Sequence, residues 1–431
     1  MVQRLCAQAP DFADQYKSLL GRKLELAPDI AAIVAGIIDR VAQEGDAALL
    51  ELTRRFDWPV PDMTAARVSA GDIAQARASL APATIAAFEH AARRIRAYHH
   101  KQLPQDAQWM DDDGITLGWR WTPLDSVGLY VPGGTASLSS SVLMNAIPAK
   151  VAGVKRLVMV TPTPGGRLDP ATLVAAHIAG VDEIWRIGGA QAIAALSHGT
   201  ASIAPVDKIV GPGNAYVAAA KRHVFGMVGI DMIAGPSEIM VVADRHNDPA
   251  WIAADLLSQA EHDESSQSIL ITDDAGFADA VAQAVEIHLT TLSRAEIAAK
   301  SWANHGAIIV VDDLSAAPAL VNQAAPEHLE LAIADPQQLL PQIRHAGAIF
   351  LGRMTPEALG DYIGGTNHVL PTARAARYAS GLSVLDFVKR TQILGASAQG
   401  IAAIGPDGAL MADSEILPAH ALSLRLRFPK S

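Results

Sequence analysis

Cysteine is all but missing from this chain: Cys6 is the single one in 431 residues. One thiol excludes an intrachain disulfide and a thiolate-rich zinc site. It also bears on redox chemistry, because aldehyde oxidation through a thiohemiacetal needs a cysteine nucleophile inside the active site. Cys6 is poorly placed for that, so such chemistry here needs another device. Excess positive charge is lacking too. A net charge of −11 with no basic stripe argues against a nucleic-acid partner, since phosphate binding needs clustered Lys and Arg. Long apolar runs are also missing. The stretch from Val142 to Val154 is broken by Asn145, Pro148 and Lys150, so no bilayer span is expected. The amino terminus has no charged start followed by an apolar core, and a cytoplasmic protein without a signal peptide is the expectation. Nor is there a GxGxxG followed about 20 residues later by an acidic residue, the usual dinucleotide fingerprint.

What is present describes a packed α/β protein. Half of the residues are hydrophobic and only 18% are charged, and the length exceeds one ordinary core, so two or more domains are expected. Residues 11–57 carry helical spacing, with Ile30, Ile33, Ile37 and Val41 on one face. Residues 72–103 read as one or two more helices, and a strand-like stretch covers Thr116 to Pro123. Strand-like runs at 157–161, 183–187, 208–210 and 238–243 then alternate with helical runs at 170–179, 190–197 and 214–224. A second series follows: helix 249–262, strand 268–272, helix 276–290, strand 307–311, helices 315–324 and 336–345, strand 347–351. This alternation predicts parallel sheets with helices on their faces. The tail beyond 383 has helix-like and strand-like pieces but little bulk, and is expected to pack on something else.

Several short constellations can carry chemistry. Asn247 or Asp248 can cap a helix with Pro249 in its first turn. Near its end, Gln259 and His262 stand three apart, so an amide oxygen and an imidazole nitrogen can share one face and hold two corners of a divalent metal site. A solvated helix end is the plainer alternative for that pair alone. The turns Gly188-Gly189-Ala190-Gln191 and Gly211-Pro212-Gly213-Asn214 open helices, where backbone N–H groups can cradle an anion. A third turn, Ala234-Gly235-Pro236-Ser237-Glu238, also follows a strand-like run. All three also suit tight α/β connections. Glu327 and His328 place a carboxylate beside an imidazole, a possible base and acid at neutral pH. Asp361 offers a hard ligand within a glycine-containing stretch, and Glu415 and His420 stand in a mostly apolar tail. Together Gln259, His262, Asp361 and His420 make two nitrogens and two oxygens, a set suited to zinc or another borderline divalent ion.

These residues lie inside long strings: Gly128-Leu-Tyr-Val-Pro-Gly-Gly134, Ser141-Val-Leu-Met-Asn-Ala-Ile-Pro-Ala-Lys150, Ile187-Gly-Gly-Ala-Gln-Ala192, Val210-Gly-Pro-Gly-Asn214, Ile230-Asp-Met-Ile-Ala-Gly-Pro-Ser-Glu238, Leu257-Ser-Gln-Ala-Glu-His-Asp263, Ala325-Pro-Glu-His-Leu-Glu330 and Asn367-His-Val-Leu-Pro-Thr372. In these strings the chain resembles the histidinol dehydrogenase family over its whole length. The resemblance implies oxidation of L-histidinol through L-histidinal to L-histidine with two NAD+, the last step of histidine biosynthesis. It implies Gln259, His262, Asp361 and His420 as zinc ligands, one zinc per subunit, and Glu327 and His328 as the acid–base pair. Ser237, His368 and Glu415 would line the substrate pocket, and Tyr130, Gln191 and Asn214 would contact NAD. Zinc would act mainly as a template for the substrate. His328 would take the alcohol proton and Glu327 would activate water, which replaces the missing thiol.

The fold implied is two Rossmann-like α/β domains with small extensions, in an intertwined homodimer that shares its active sites. The expected partition is a helical extension at 1–25, a zinc-bearing domain from 26–129 with 239–382, an NAD domain at 130–238, and a tail at 383–431 reaching the partner. Arg374, Thr366 and Pro418 depart from the pattern and bear on pocket shape. Three other readings compete. One is a dehydrogenase of the same superfamily acting on another polar alcohol such as sulfopropanediol; the others are a zinc hydrolase and a catalytically silent scaffold.

Overall fold

The computed structural model describes residues 2–21, 28–133, 138–233 and 235–428. Gly134 and Ala234 of the expected turns, Met1 and 22–25 of the amino-terminal extension, and 429–431 of the tail lie outside them. In chain order, β1 (Gln3–Cys6) is followed by several helices and then the antiparallel pair β2 (Ala107–Met110) and β3 (Ile115–Pro123). Next come β4 (Ser126–Tyr130), β5 (Arg156–Val160), β6 (Glu183–Trp185), β7 (Lys208–Val210) and β8 (Gly229–Ile230). These five form an all-parallel sheet in the order β6-β5-β4-β7-β8. Then β9 (Glu238–Ala243), β10 (Gln267–Thr272), β11 (Ala307–Val310), β12 (His328–Ala332) and β13 (Ala348–Leu351) join β1 in a parallel sheet ordered β1-β11-β10-β9-β12-β13. Finally β14 (Val388–Ala396) returns to pair antiparallel with all of β3.

The larger sheet explains its own sequence. Along β9, Ile239, Val241 and Ala243 enter one core and Met240 and Val242 enter the other. Successive side chains point to opposite faces, and helices cover both, so the strand reads as an unbroken apolar run. The helix Pro249–Ala260 follows β9, with Asp248 accepting from Ala250 N at 2.9 Å and Pro249 in the first turn. Asn247, the other capping candidate, is buried instead and donates to Ala332 O at 2.7 Å. Because β9 is parallel to its neighbours, this helix runs back and delivers its carboxyl end to the amino edge of the sheet.

The expected grouping of 26–129 with 239–382 differs from the packing. Val34, Ile38, Val41, Leu49 and Leu52 share a core with Ile187, Ile193, Leu196 and Ile209, and the helices Pro28–Glu44 and Asp46–Phe56 pack on Gly189–His198. The helices Ala70–Ser79 and Pro82–His100 likewise lie against Ser139–Ala152 and Pro170–Ala179. Residues 28–100 therefore belong with the five-stranded sheet. The extension at 1–25 is only partly helical, since β1 is an edge strand of the six-stranded sheet. Apolar periodicity shows which face a helix buries but not which sheet it is buried against. Several elements also escaped the pattern, among them β2, β4, β8 and the helices Ser139–Ala152, Ala295–His305 and Glu357–Tyr362. The helix expected at 336–345 is two short 3₁₀ turns, Pro336–Gln338 and Leu340–Gln342, because Pro341 has no N–H to continue a helix.

Candidate active site

Two places in this fold gather the residues singled out above. The first lies at the amino edge of the six-stranded sheet. His328 is the first residue of β12, and Glu327 precedes it; both are buried. His328 Nδ1 lies 3.0 Å from Glu238 O, and Glu327 accepts from Glu238 N at 2.9 Å, so one residue of β9 fixes both side chains. The N–H···O=C contact places the proton on Nδ1 and turns Nε2 towards two carboxylates. Nε2 stands 3.7 Å from Asp361 Oδ1 and 3.6 Å from Glu357 Oε1. Both carboxylates come from the short helix Glu357–Tyr362, four residues apart and so on one face. His368 Nδ1 lies 3.0 Å from Asp361 O and its Nε2 3.2 Å from Ser141 Oγ, which brings in a helix of the other unit.

Gln259 is the penultimate residue of the helix Pro249–Ala260 and is 1% exposed. Its amide nitrogen donates to Glu357, whose other oxygen accepts from Ser258 Oγ at 2.8 Å. That leaves Gln259 Oε1 free. His262 lies just past the helix end, in a turn, with solvent on one side. Its proximity to Asp361, His328 and His368 is felt electrostatically. Ser237 sits half-buried immediately before Glu238, with its carbonyl accepting from Gln267 N at 2.9 Å.

Desolvation and crowded charge shift the titration of this cluster. Burial pushes Glu327 up to about 8. Burial alone would lower His328, but the carboxylates of Glu327, Asp361 and Glu357 outweigh it and hold the imidazole at about 10. Burial likewise raises Glu238 and Glu357 to about 7 each. Burial would raise Asp361, but the adjacent His328 imidazole and the charge of His368 outweigh it and hold the carboxyl at about 2. Burial lowers His262 and His368. The site is thus a nest of acids sharing too little positive charge. Three buried atoms, Gln259 Oε1, His328 Nε2 and Asp361 Oδ1, have no hydrogen-bond partner. Such atoms are costly to bury unless something pairs with them. His328, Glu357 and Asp361 each offer a ligand atom within 4.8 Å of the others. An amide oxygen, imidazole and carboxylates at the carboxyl end of a helix fit a divalent cation in charge and in donor type.

Glu357 was not visible in the sequence. Its one signal was the four-residue spacing to Asp361. Behind it, Glu330 accepts from Glu357 N at 2.6 Å and shares a carboxyl–carboxyl hydrogen bond with Asp255, both pushed up by burial.

The second place is the carboxyl edge of the five-stranded sheet. Tyr130 ends β4, and its hydroxyl accepts from Gly189 N at 3.1 Å. Gln191 is buried in the first turn of the helix Gly189–His198. Asn214 caps the helix Ala215–Val224, accepting from Tyr216 N and Val217 N at 3.1 Å each. In the order β6-β5-β4-β7-β8, the sequence direction reverses between β4 and β7, where α/β sheets open a crevice for ligands.

Glu415 and His420 are brought to neither place within one chain. Both are exposed, and their side chains make no hydrogen bond or ion pair with the described site residues. Arg374 and Ala373 adopt left-handed φ of 66° and 52°, and Ala373 N donates to Glu238 Oε1 at 3.0 Å.

Comparison with known proteins defines first a class: the chain is an α/β oxidoreductase. More closely, it belongs to the histidinol dehydrogenase family, whose model matches residues 21–428. Histidinol dehydrogenase of Ruegeria pomeroyi is 61% identical over 430 residues, covering 100% of this chain and 99% of that one. That of Rhodospirillum rubrum is 59% identical over 428 residues, covering 99% of each. A crystal structure of histidinol dehydrogenase from Elizabethkingia anophelis superposes with a TM-score of 0.94 at 38% identity, covering 99% of this chain and 98% of that one. Membership favours histidinol over the sulfopropanediol reading. Among the described residues, no helix is long and apolar enough to cross a membrane.

Proposed function

We propose that the chain oxidises L-histidinol to L-histidine through L-histidinal, reducing two NAD+ in succession, as the last step of histidine biosynthesis in the cytoplasm. The observation that carries the site assignment is the set of three unpartnered buried atoms, Gln259 Oε1, His328 Nε2 and Asp361 Oδ1, beside Glu357. Gln259, His262 and Asp361 would hold a zinc ion, with His420 from a second copy of the chain. When bound, the ion would supply positive charge and a template for the imidazole and amino nitrogens of the substrate.

The chain's own residues would do the proton work. With the surrounding carboxylates neutralised, His328 no longer needs its second proton, and Nε2 can accept one from the substrate hydroxyl. Glu238 holds the ring through Nδ1, so the base keeps one tautomer. Glu327, buried and anchored to Glu238 N, would take a proton from the water that attacks the aldehyde. Ser237, His368 and Glu415 would orient the substrate. Tyr130, Gln191 and Asn214 would seat the dinucleotide at the crevice between β4 and β7.

A homodimer follows from the same reading. Leu410, Met411, Ile416, Leu422 and Leu426 are exposed around Glu415 and His420, a surface suited to burial against a second copy. Purified protein is expected to yield two NADH per L-histidinol, with L-histidine as product; one NADH, or none, overturns the reaction. Co-refolding Glu327→Gln with His420→Ala, each inactive alone, should restore turnover. A hybrid dimer would hold one intact site. No recovery would refute the sharing of sites.

A further inference from the structure

One buried ion pair is used by none of the roles above. Lys221, in the helix Ala215–Val224, contacts Asp231, just after β8, and their side chains are 3% and 1% exposed. Lys221 Nζ also donates to Gly211 O at 2.9 Å, and Asp231 Oδ2 accepts from Gly211 N at 2.7 Å. The pair therefore grips both main-chain polar groups of a single residue. That residue opens the turn Gly211-Pro212-Gly213-Asn214. It has φ of +108°, and a Cβ there would lie 2.1 Å from Tyr130 O, so the turn is pressed against the end of β4. Asp231 Oδ1 accepts in addition from Met232 N at 2.6 Å, at the start of the segment leading to Ser237 and Glu238.

A buried ion pair is weak evidence of stabilisation, because removing two charges from water offsets most of their attraction. An apolar pair of the same volume would serve the core at least as well. Such a pair could not bond Gly211 N and O, since β7 ends at Val210 and its ladder supplies no partner beyond it. Without the pair, two buried main-chain groups would be left to rearrange.

We propose that Lys221 and Asp231 are positioning residues that hold the Gly211–Asn214 turn in the conformation that receives the dinucleotide. They act through Gly211 and do not touch the ligand. The inference rests on the assignment of that turn to NAD. The test is NAD titration of the full-length protein carrying Lys221→Met together with Asp231→Leu, beside the wild type and Asn214→Ala. The double variant is expected to fold with a somewhat lowered melting temperature and to keep zinc binding and KM for histidinol. Its NAD dissociation constant should rise by about tenfold, the size expected when the turn loses about one hydrogen bond's worth of preorganisation. Wild-type NAD affinity in the double variant, with Asn214→Ala weakened, overturns the positioning role alone. Wild-type affinity in Asn214→Ala overturns the assignment of the turn, and the inference with it. Should the double variant not fold, Asp231→Asn decides: it keeps the shape and removes the charge. Weaker NAD binding is then expected, and unchanged binding refutes the proposal.

Discussion

The two parallel sheets use opposite edges. The five-stranded sheet gathers Tyr130, Gln191 and Asn214 at its carboxyl edge, through turns whose main chain does the shaping. The six-stranded sheet gathers His328, Glu357, Asp361 and Gln259 at its amino edge, through buried side chains that carry charge. Its own carboxyl edge has a cavity of about 480 Å³ lined by Asp244, Asp273, Asp274, Asp313 and Asp335. Four of these carboxylates accept from nearby backbone N–H groups: Asp244 from His246 N, Asp274 from Phe277 N, Asp313 from Ser315 N and Asp335 from Gln337 N. That edge is occupied by structural bonds. One architecture can therefore offer either edge, and the choice follows from where helices end. The helix Pro249–Ala260 delivers its carboxyl end, which favours a cation, to the amino edge of its sheet, whereas Gly189–His198 and Ala215–Val224 present amino ends, which favour phosphate, at the carboxyl edge of theirs.

This contrast can be broken by substitution. The largest effect should come from Glu327→Gln, which keeps the hydrogen bond to Glu238 N but removes the carboxylate proposed as the base. Single-turnover assays should show aldehyde oxidation slowed on the order of 10²–10⁴-fold, with alcohol oxidation much less affected. Equal losses in the two half-reactions would reassign the pair. Next, Glu357→Ala removes the acceptor for Ser258 and Gln259, leaving the amide free to rotate. Zinc affinity, read by competition with a chelating dye, should fall about 10–100-fold while NAD binding holds. Gly189→Ala should do the reverse. Gly189 has φ of +65°, and a Cβ would meet Gln191 Oε1 at 2.7 Å, so KM for NAD should rise roughly tenfold with zinc affinity intact. A parallel loss of zinc would show that the two edges are not independent.

The smallest effect is expected at the carboxyl edge of the six-stranded sheet. Arg353 makes two hydrogen bonds to Asp244, at 2.8 and 2.6 Å, and this contact lowers the Asp244 carboxyl against the opposing effect of burial. A depressed carboxylate contributes stability above its unfolded pKa of about 3.9 and loses it as pH falls through the folded value. Arg353→Met should therefore lower the melting temperature by a few degrees at pH 7 and by less near pH 3, with kcat/KM unchanged. A change in turnover would mean that this edge also serves the reaction.

How much of this was legible in the sequence depended on distance along the chain. Gln259 with His262, and Glu327 with His328, are near neighbours, and local spacing displayed them. Glu357 was hidden, because its meaning comes from Gln259, 98 residues earlier, and Ser258, 99 residues earlier. Many strands of both sheets were readable because burial on two faces leaves continuous apolar runs; β1, β4, β8 and β12 were not. The attachment of 28–100 was not, since Val34 and Leu49 look alike whichever sheet they cover. Glu415 and His420 were singled out by type, yet among the described residues of the isolated chain their side chains have no partner at either place.

One short strand sets the timetable for making the protein. Residues 3–6 pair with 307–310, so a segment made early waits for one that emerges some 300 residues later. At about 5–20 residues per second that interval is on the order of tens of seconds, long enough for the unit around β4–β8 to condense first. The six-stranded sheet then takes up β1 at one edge, and β12 and β13, made later still, complete the other. Its contact order is high by construction, and nascent chains halted before residue 307 should expose an unpaired β10 edge that a chaperone must shield.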